Sequence, residues 1–316
     1  TTKQRIIAIA GPTAVGKTAL SIALAKALDG EIISCDSMQI YRVMDIGTAK
    51  PTPEEQSRVP HHLFDFIDPF RSYSCADYCA DAEGAIEDIL SRGKLPIVCG
   101  GTGLYLDSLL FERPFDESSG KSEVRERLCR EAEELGAHAL HERLREVDPE
   151  SAEKIHENNI RRVIRALEIY ELTGKTKTHF DALSKTDAKD ITIRHVTLDF
   201  HNRELLYARV NERVDIMIAE GLVDEVRGLY EAGLLDGDTT ASQAIGYKEF
   251  LPYFAGEKTR DEAAAEIKLA TRHYAKRQLI WFRRMQNVYR LVPDLEDGTV
   301  RSADSLAEEA VSLLNG

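Results

Sequence analysis

The chain has 316 residues, with 41 lysines and arginines against 54 aspartates and glutamates and a net charge of −13; it is long enough for one large domain or two smaller ones, and two are expected. The acidic balance argues against a nucleic-acid partner unless basic residues are segregated, and no apolar run reaches membrane-spanning length. The five cysteines (Cys35, Cys75, Cys79, Cys99 and Cys129) are odd in number and lack zinc-type pairing, which speaks against a disulfide framework or structural metal and leaves a soluble intracellular protein as the expectation.

Residues 6–10 (IIAIA) read as a buried strand and 19–28 as a helix. Between them lies Gly11-Pro12-Thr13-Ala14-Val15-Gly16-Lys17-Thr18. Strand, Gly-rich loop and helix in this order form a phosphate-binding P-loop: successive N–H groups and the helix N-terminus face an anion, Lys17 adds a charge, and Thr18 offers a hydroxyl to Mg²⁺. The loop therefore holds a di- or triphosphate, which does not by itself name a reaction.

Residues 31–36 read as a second strand ending in Asp36. Strand C-termini in open α/β sheets face the ligand crevice, so Asp36 is expected near the loop, holding Mg²⁺ or accepting a proton; capping the following turn is the alternative. Residues 45–60 lack a sustained period and read as a surface loop, followed by a strand over 62–67. Ser74 and Asp77 form a capping box for a helix ending near Gly93. A buried strand over 95–99 empties into Gly100-Gly101-Thr102-Gly103, where Thr102 can meet a substrate or merely close a turn.

From 115 to 189 strands disappear, and helical periods cover 122–135, 137–147 and 159–172. Arg161, Arg162 and Arg165 cluster on the last of these, as solvated charges or as anion contacts. A strand pattern returns over 194–200. The helix over 203–220 carries an apolar stripe of Leu206, Val210, Val214 and Met217, flanked by Arg209 and Arg213, which either reach a cleft or pair with Glu212 or Asp215. A last long helix over 261–286 turns Ile267, Ala270, Tyr274, Gln278, Trp281 and Met285 to one face. Between Lys268 and Arg290 there are seven Lys or Arg and no Asp or Glu, interleaved with aromatics: a segregated surface suited to a phosphate backbone.

The expected fold is α/β, a P-loop NTPase-like parallel sheet flanked by helices, formed by residues 1–114 and 190–316, with an all-α insertion at 115–189.

These pieces resemble the tRNA dimethylallyltransferase (isopentenyltransferase) family of bacterial type. The likeness rests on GPTAVGKT at Gly11, ISCDSMQIYRVMDIGTAKP from Ile33, GGTGLY at Gly100, RRVIRALEIY at Arg161, SQAIGYKE at Ser242 and TRHYAKRQLIWFR at Thr271. It spans nearly the whole chain. The resemblance implies transfer of a dimethylallyl group from dimethylallyl diphosphate to N6 of adenosine 37 in tRNAs that read codons beginning with U. It also implies that Gly11 to Thr18 bind the diphosphate, with Thr13 and Arg213 contributing and Mg²⁺ held by Thr18 and partly by the diphosphate itself. Asp36 is then the base, and Thr102 lies beside the target nucleotide. The tRNA anticodon stem-loop is expected to meet Asp36, Ser37, Met38, Gln39, Thr102, Arg125, Arg161, Arg162, Val163, Ile164, Arg165, Gln243, Lys248, Lys276 and Arg277, with the insertion acting as a clamp. A cytoplasmic monomer with no membrane partner is expected. The rival readings are a P-loop kinase for a small metabolite, a transferase that prenylates free AMP, ADP or ATP, and an ATP-switched RNA-binding module.

Overall fold

The structure, a computed structural model, describes residues 4–110, 122–183, 191–235, 237 and 239–315. Chain contacts divide it into two compact units, Thr1–Asp107 with Asp190–Gly316, and Ser108–Lys189. The expected boundaries at 114/115 and 189/190 fall outside the described residues.

The first unit is built on strands β1 (Gln4–Ala10), β2 (Gly30–Ser34), β3 (His61–His62), β4 (Leu95–Gly100), β5 (Ile191–Leu198) and β6 (Val288–Leu291). They form a six-stranded sheet in the order β3-β2-β4-β1-β5-β6, and every pair is parallel. Parallel strands require crossovers that cover both faces, which is why β1, β2 and β4 read as near-continuous apolar runs rather than alternating ones. The crossovers are α1 (Lys17–Leu28), α2 (Pro53–Arg58), α3 (Cys75–Ser91) and α4 (Gly103–Leu110). The second unit holds α5 (Glu123–Val147), α6 (Pro149–Lys154), α7 (Ile160–Thr173) and α8 (Lys177–Leu183), followed in the first unit by α9 (Arg203–Ala219), α10 (Leu222–Glu231), α11 (Leu251–Phe254), α12 (Arg260–Arg283) and α13 (Ala303–Asn315). Leu20 and Leu24 of α1, Leu206 and Val210 of α9, Leu279 of α12 and Leu306 of α13 share one buried core with the sheet.

Several expectations change. The stretch expected as a loop over 45–60 contains α2, because Thr52 and Glu55 make a reciprocal capping box and Pro53 is preset for the first turn. The strand expected over 62–67 shrinks to His61–His62 plus a bridge between Tyr41 and Ile67. Leu63 and Asp65 adopt left-handed backbone and break the run. On α12 the buried positions are Ala263, Ile267, Ala275, Gln278, Leu279 and Phe282, so the face is rotated from the expected one and Trp281 lies outside the core. The two helices expected over 122–147 meet at Gly136, whose φ of 85° interrupts α5.

Candidate active site

The P-loop lies between the C-terminal end of β1 and the first turn of α1, where Gly16 is left-handed and the loop can wrap an anion. Its shape is held from far along the chain. Arg209 Nε donates to the carbonyl of Ala14 at 2.9 Å, and Arg213 Nη1 donates to Thr13 Oγ1 at 3.1 Å. The stripe of α9 is buried as expected at Leu206, Val210 and Val214, and its flanking arginines turn to the loop. Asp215, the alternative partner, pairs with Lys268 instead, at 2.6 Å.

Lys17 Nζ donates to the Pro12 carbonyl at 2.7 Å. Burial pushes its pKa down to about 8, so the ammonium is poised to gain from a neighbouring anion. Burial, and secondarily the charge of Arg209, also push the Arg213 guanidinium below its ordinary value. Two desolvated cations facing one cavity favour a multiply charged anion between them.

Asp36 follows β2, and its charge acts on both Lys17 and Arg213. Its Oδ1 accepts from the amides of Met38 at 2.9 Å and Gln39 at 3.4 Å, so the capping role and the cavity position coexist. Oδ2 makes no hydrogen bond among the described residues. Thr102 stands behind this turn: its Oγ1 accepts from the Ser37 amide at 3.0 Å and donates to Ser37 Oγ at 3.3 Å. The close approach depends on Gly100, where a Cβ would come within 2.0 Å of the Cys35 carbonyl oxygen.

A cavity of about 530 Å³ in the first unit is lined by Thr13, Lys17, Thr18, Asp36, Ser37, Met38, Gln39, Arg213, Gln243, Lys248 and Arg277. The structure thus brings most of the expected residues of this unit to one place. Gln243 and Lys248 are exposed at their positions. Ala14 and Val15 are packed in the core and serve the loop through their backbone. Lys276 is exposed on α12. Of the expected basic surface, Lys268, Arg272, Arg283 and Arg290 are engaged by Asp215, Asn211, Asp199 and backbone carbonyls respectively. Lys276, Arg277 and Arg284 make no ion pair among the described residues.

In the second unit the arginines divide. Arg125 and Arg165 both donate to Glu168, each at 2.7 Å, and Glu168 is 0% exposed. Burial would raise the Glu168 pKa, but hydrogen bonds from Arg125, Ser122 and Arg165 outweigh it and hold the carboxyl below its ordinary value. Arg125 and Arg165, expected at the RNA, thus satisfy a buried carboxylate, with about a third of each side chain exposed. Val163 and Ile164, also expected at the RNA, are buried in the core of this unit, so their side chains are withheld from any ligand. Arg161 and Arg162 are exposed.

Two residues outside the expected site organise it. Gln278 of α12 is 5% exposed; its Oε1 accepts from the Thr13 amide at 2.9 Å and its Nε2 donates to the Gly101 carbonyl at 2.8 Å, joining the two Gly-rich loops. Glu225 of α10 accepts from the amides of Asp45, Ile46 and Gly47 and from the Tyr247 hydroxyl. That carboxylate ties two cavity walls together. A polar residue inside an apolar helical stripe is the signal for Gln278, whereas nothing local marks Glu225.

A parallel six-stranded sheet flanked by helices, with a Gly-rich loop, paired cations and a carboxylate at the strand ends, defines an α/β protein of P-loop-like fold. The model of the IPP transferase family matches residues 39–285, that of the isopentenyl transferases matches residues 4–62, and the chain belongs to the IPP transferase family. It is 50% identical over 287 residues to a tRNA dimethylallyltransferase of Bacillus cytotoxicus, covering 90% of this chain and 89% of that one. A tRNA isopentenylpyrophosphate transferase from Staphylococcus epidermidis has a similar structure, with a TM-score of 0.71 and 42% identity over 99% of both chains. A eukaryotic dimethylallyltransferase described as acting on tRNA superposes with a TM-score of 0.82 at 34% identity, covering 99% of this chain and 80% of that one.

Proposed function

We propose that this chain transfers the dimethylallyl group of dimethylallyl diphosphate to N6 of adenosine 37 in tRNAs that read codons beginning with U, releasing diphosphate. The observation that carries the reading is the convergence of Lys17, Arg213 and Asp36 on one cavity, in a family whose relatives are named tRNA dimethylallyltransferases.

In the reaction the C1–O bond to the diphosphate breaks as the N6–C1 bond forms, and the N6 proton leaves. Lys17, Arg213 and the P-loop amides stabilise the negative charge that develops on the departing diphosphate. The amine lone pair is delocalised into the ring, so a base must accept the proton as the new bond forms, and the unengaged Oδ2 of Asp36 takes that role. The amides of Met38 and Gln39 hold the carboxylate in place, and Thr102 braces the same turn through the Ser37 amide. Reaching the cavity requires the base to leave its stack, at a cost of a few kcal/mol that is least in a loop.

The donor set also suits Mg²⁺. No cluster of three or more His, Cys, Asp or Glu side chains that could hold a metal is present among the described residues, but Mg²⁺ keeps its waters and binds through few protein oxygens plus phosphates. The Thr18 hydroxyl on the cavity wall supplies such an oxygen. Bound there, the ion would add charge neutralisation on the diphosphate.

Purified protein incubated with labelled dimethylallyl diphosphate and either tRNA or AMP tests the proposal. Label entering tRNA is expected; label entering AMP alone, or turnover of ATP in place of prenyl transfer, overturns it. No described helix is long and apolar enough to cross a membrane, and action in the cytoplasm is part of the proposal.

A further inference from the structure

Trp281 is the only tryptophan of the chain and is 37% exposed. It belongs to α12, four residues beyond Arg277 and three beyond Gln278, which both line the cavity. Its indole rests on the backbone of Gly103: a Cβ at that glycine would stand 2.5 Å from Cδ1 and from Nε1 and 2.8 Å from Cε2. Only a residue without a side chain lets the ring settle there. Gly103 directly follows Thr102, whose hydroxyl is bonded to Ser37 beside Asp36. Leu104, the residue after Gly103, is 43% exposed.

The surroundings select the partner. Lys276 and Arg277 lie on this stretch of α12 and Arg284 caps its C-terminus, all three exposed, and no acidic residue occurs between Lys268 and Arg290. An aromatic ring held against backbone, partly open to solvent and bordered by cations without acidic partners, has the composition of a stacking platform for single-stranded nucleic acid. From Arg277 to Trp281 the helix advances about 6 Å, a reach suited to a neighbouring nucleotide rather than the one inside the cavity.

We propose that Trp281 stacks on a nucleobase adjacent to the modified adenosine, holding the anticodon loop open while the target enters the cavity. The inference rests on the tRNA reading of this site and deepens it. Stacking on the immobilised indole stabilises the splayed loop, and the nearby arginines bind its phosphates.

Because Trp281 is the only tryptophan among eleven tyrosines, its fluorescence can be read selectively. Titration with an anticodon stem-loop RNA, with binding followed in parallel by filter retention, should quench the indole and shield it from acrylamide. Dimethylallyl diphosphate alone should leave acrylamide access unchanged. Trp281→Ala should weaken RNA binding roughly 5- to 100-fold, with the slope of log K against log salt unaltered and dimethylallyl diphosphate affinity preserved. Trp281→Phe, which keeps a π face, should recover much of the loss. A saturated complex with unshielded Trp281, or Trp281→Ala binding RNA as wild type does, overturns the platform. If wild-type protein prenylates the stem-loop while Trp281 stays silent, only this inference falls; if it neither binds nor prenylates RNA, the functional reading falls with it.

Discussion

Replacing Asp36 by asparagine separates its two roles. Oδ1 holds the turn by accepting from Met38 N and Gln39 N, and an asparagine carbonyl oxygen accepts the same bonds. Oδ2 becomes an amide nitrogen that accepts no proton. The fold should therefore change by no more than about 1 kcal/mol, while the chemical step loses its base, a factor of roughly 10²–10⁴, or about 3–5.5 kcal/mol in the barrier. Affinities for dimethylallyl diphosphate and for tRNA should change far less. Asp36→Ala also removes the turn acceptor, so it should lose stability in addition to rate. Single-turnover rates across a Mg²⁺ titration, set beside thermal unfolding, provide the assay. A near-normal rate in the asparagine variant refutes the base assignment, as does recovery of the rate at high Mg²⁺, which would make Asp36 a metal organiser.

Three further predictions follow from charge states and partners. With the Lys17 pKa pushed down to about 8, the anion-binding ammonium is lost as pH rises through that value; kcat/KM for dimethylallyl diphosphate should then fall about tenfold for each pH unit well above it. Lys17→Ala should show a low profile without that limb, and an unchanged limb in the variant would assign it elsewhere. The Glu31 carboxyl, 4% exposed, is lowered to about 2 chiefly by hydrogen bonds from Arg92, with burial opposing and His62 assisting. Its contribution to stability is complete above the ordinary value of 4.5 and is lost as pH falls through about 2; the stability gap between wild type and Glu31→Gln should close over that window, and a gap independent of pH would contradict the assignment. In the helical unit, Arg161→Ala and Arg162→Ala should each lower the salt slope of tRNA binding by about one, for the phosphate that the arginine neutralises, whereas Arg165→Ala should cost about 1–3 kcal/mol of stability by removing a partner of buried Glu168. Equal effects at all three positions would erase the distinction.

What is legible in the sequence is what short-range physics dictates. The P-loop between β1 and α1, the capping box opening α3, and the apolar runs of β1 and β4 all express backbone hydrogen bonding and burial within a few residues, so their element types and order can be read directly. Asp36 is found from its place at a strand end. The same local signals do not show which arginine is free: Arg161 and Arg165 share a helix, and only the packing of α5 against α7, which buries Glu168, decides that Arg165 is engaged while Arg161 is exposed. Nor do they show that Gln278 reaches Thr13 across 265 residues, that Arg209 holds the Ala14 carbonyl, or that Glu225 anchors the 45–47 segment. Those bonds join groups whose separation along the chain carries no local signal. Their partners are set by the order of strands in the sheet and the way α9, α10 and α12 settle on it, where the requirement to satisfy buried polar groups selects one pairing from many. Trp281 belongs to the same class. Its periodicity points to a core face, and only its seat on Gly103 and the rotation of α12 leave part of its ring to solvent.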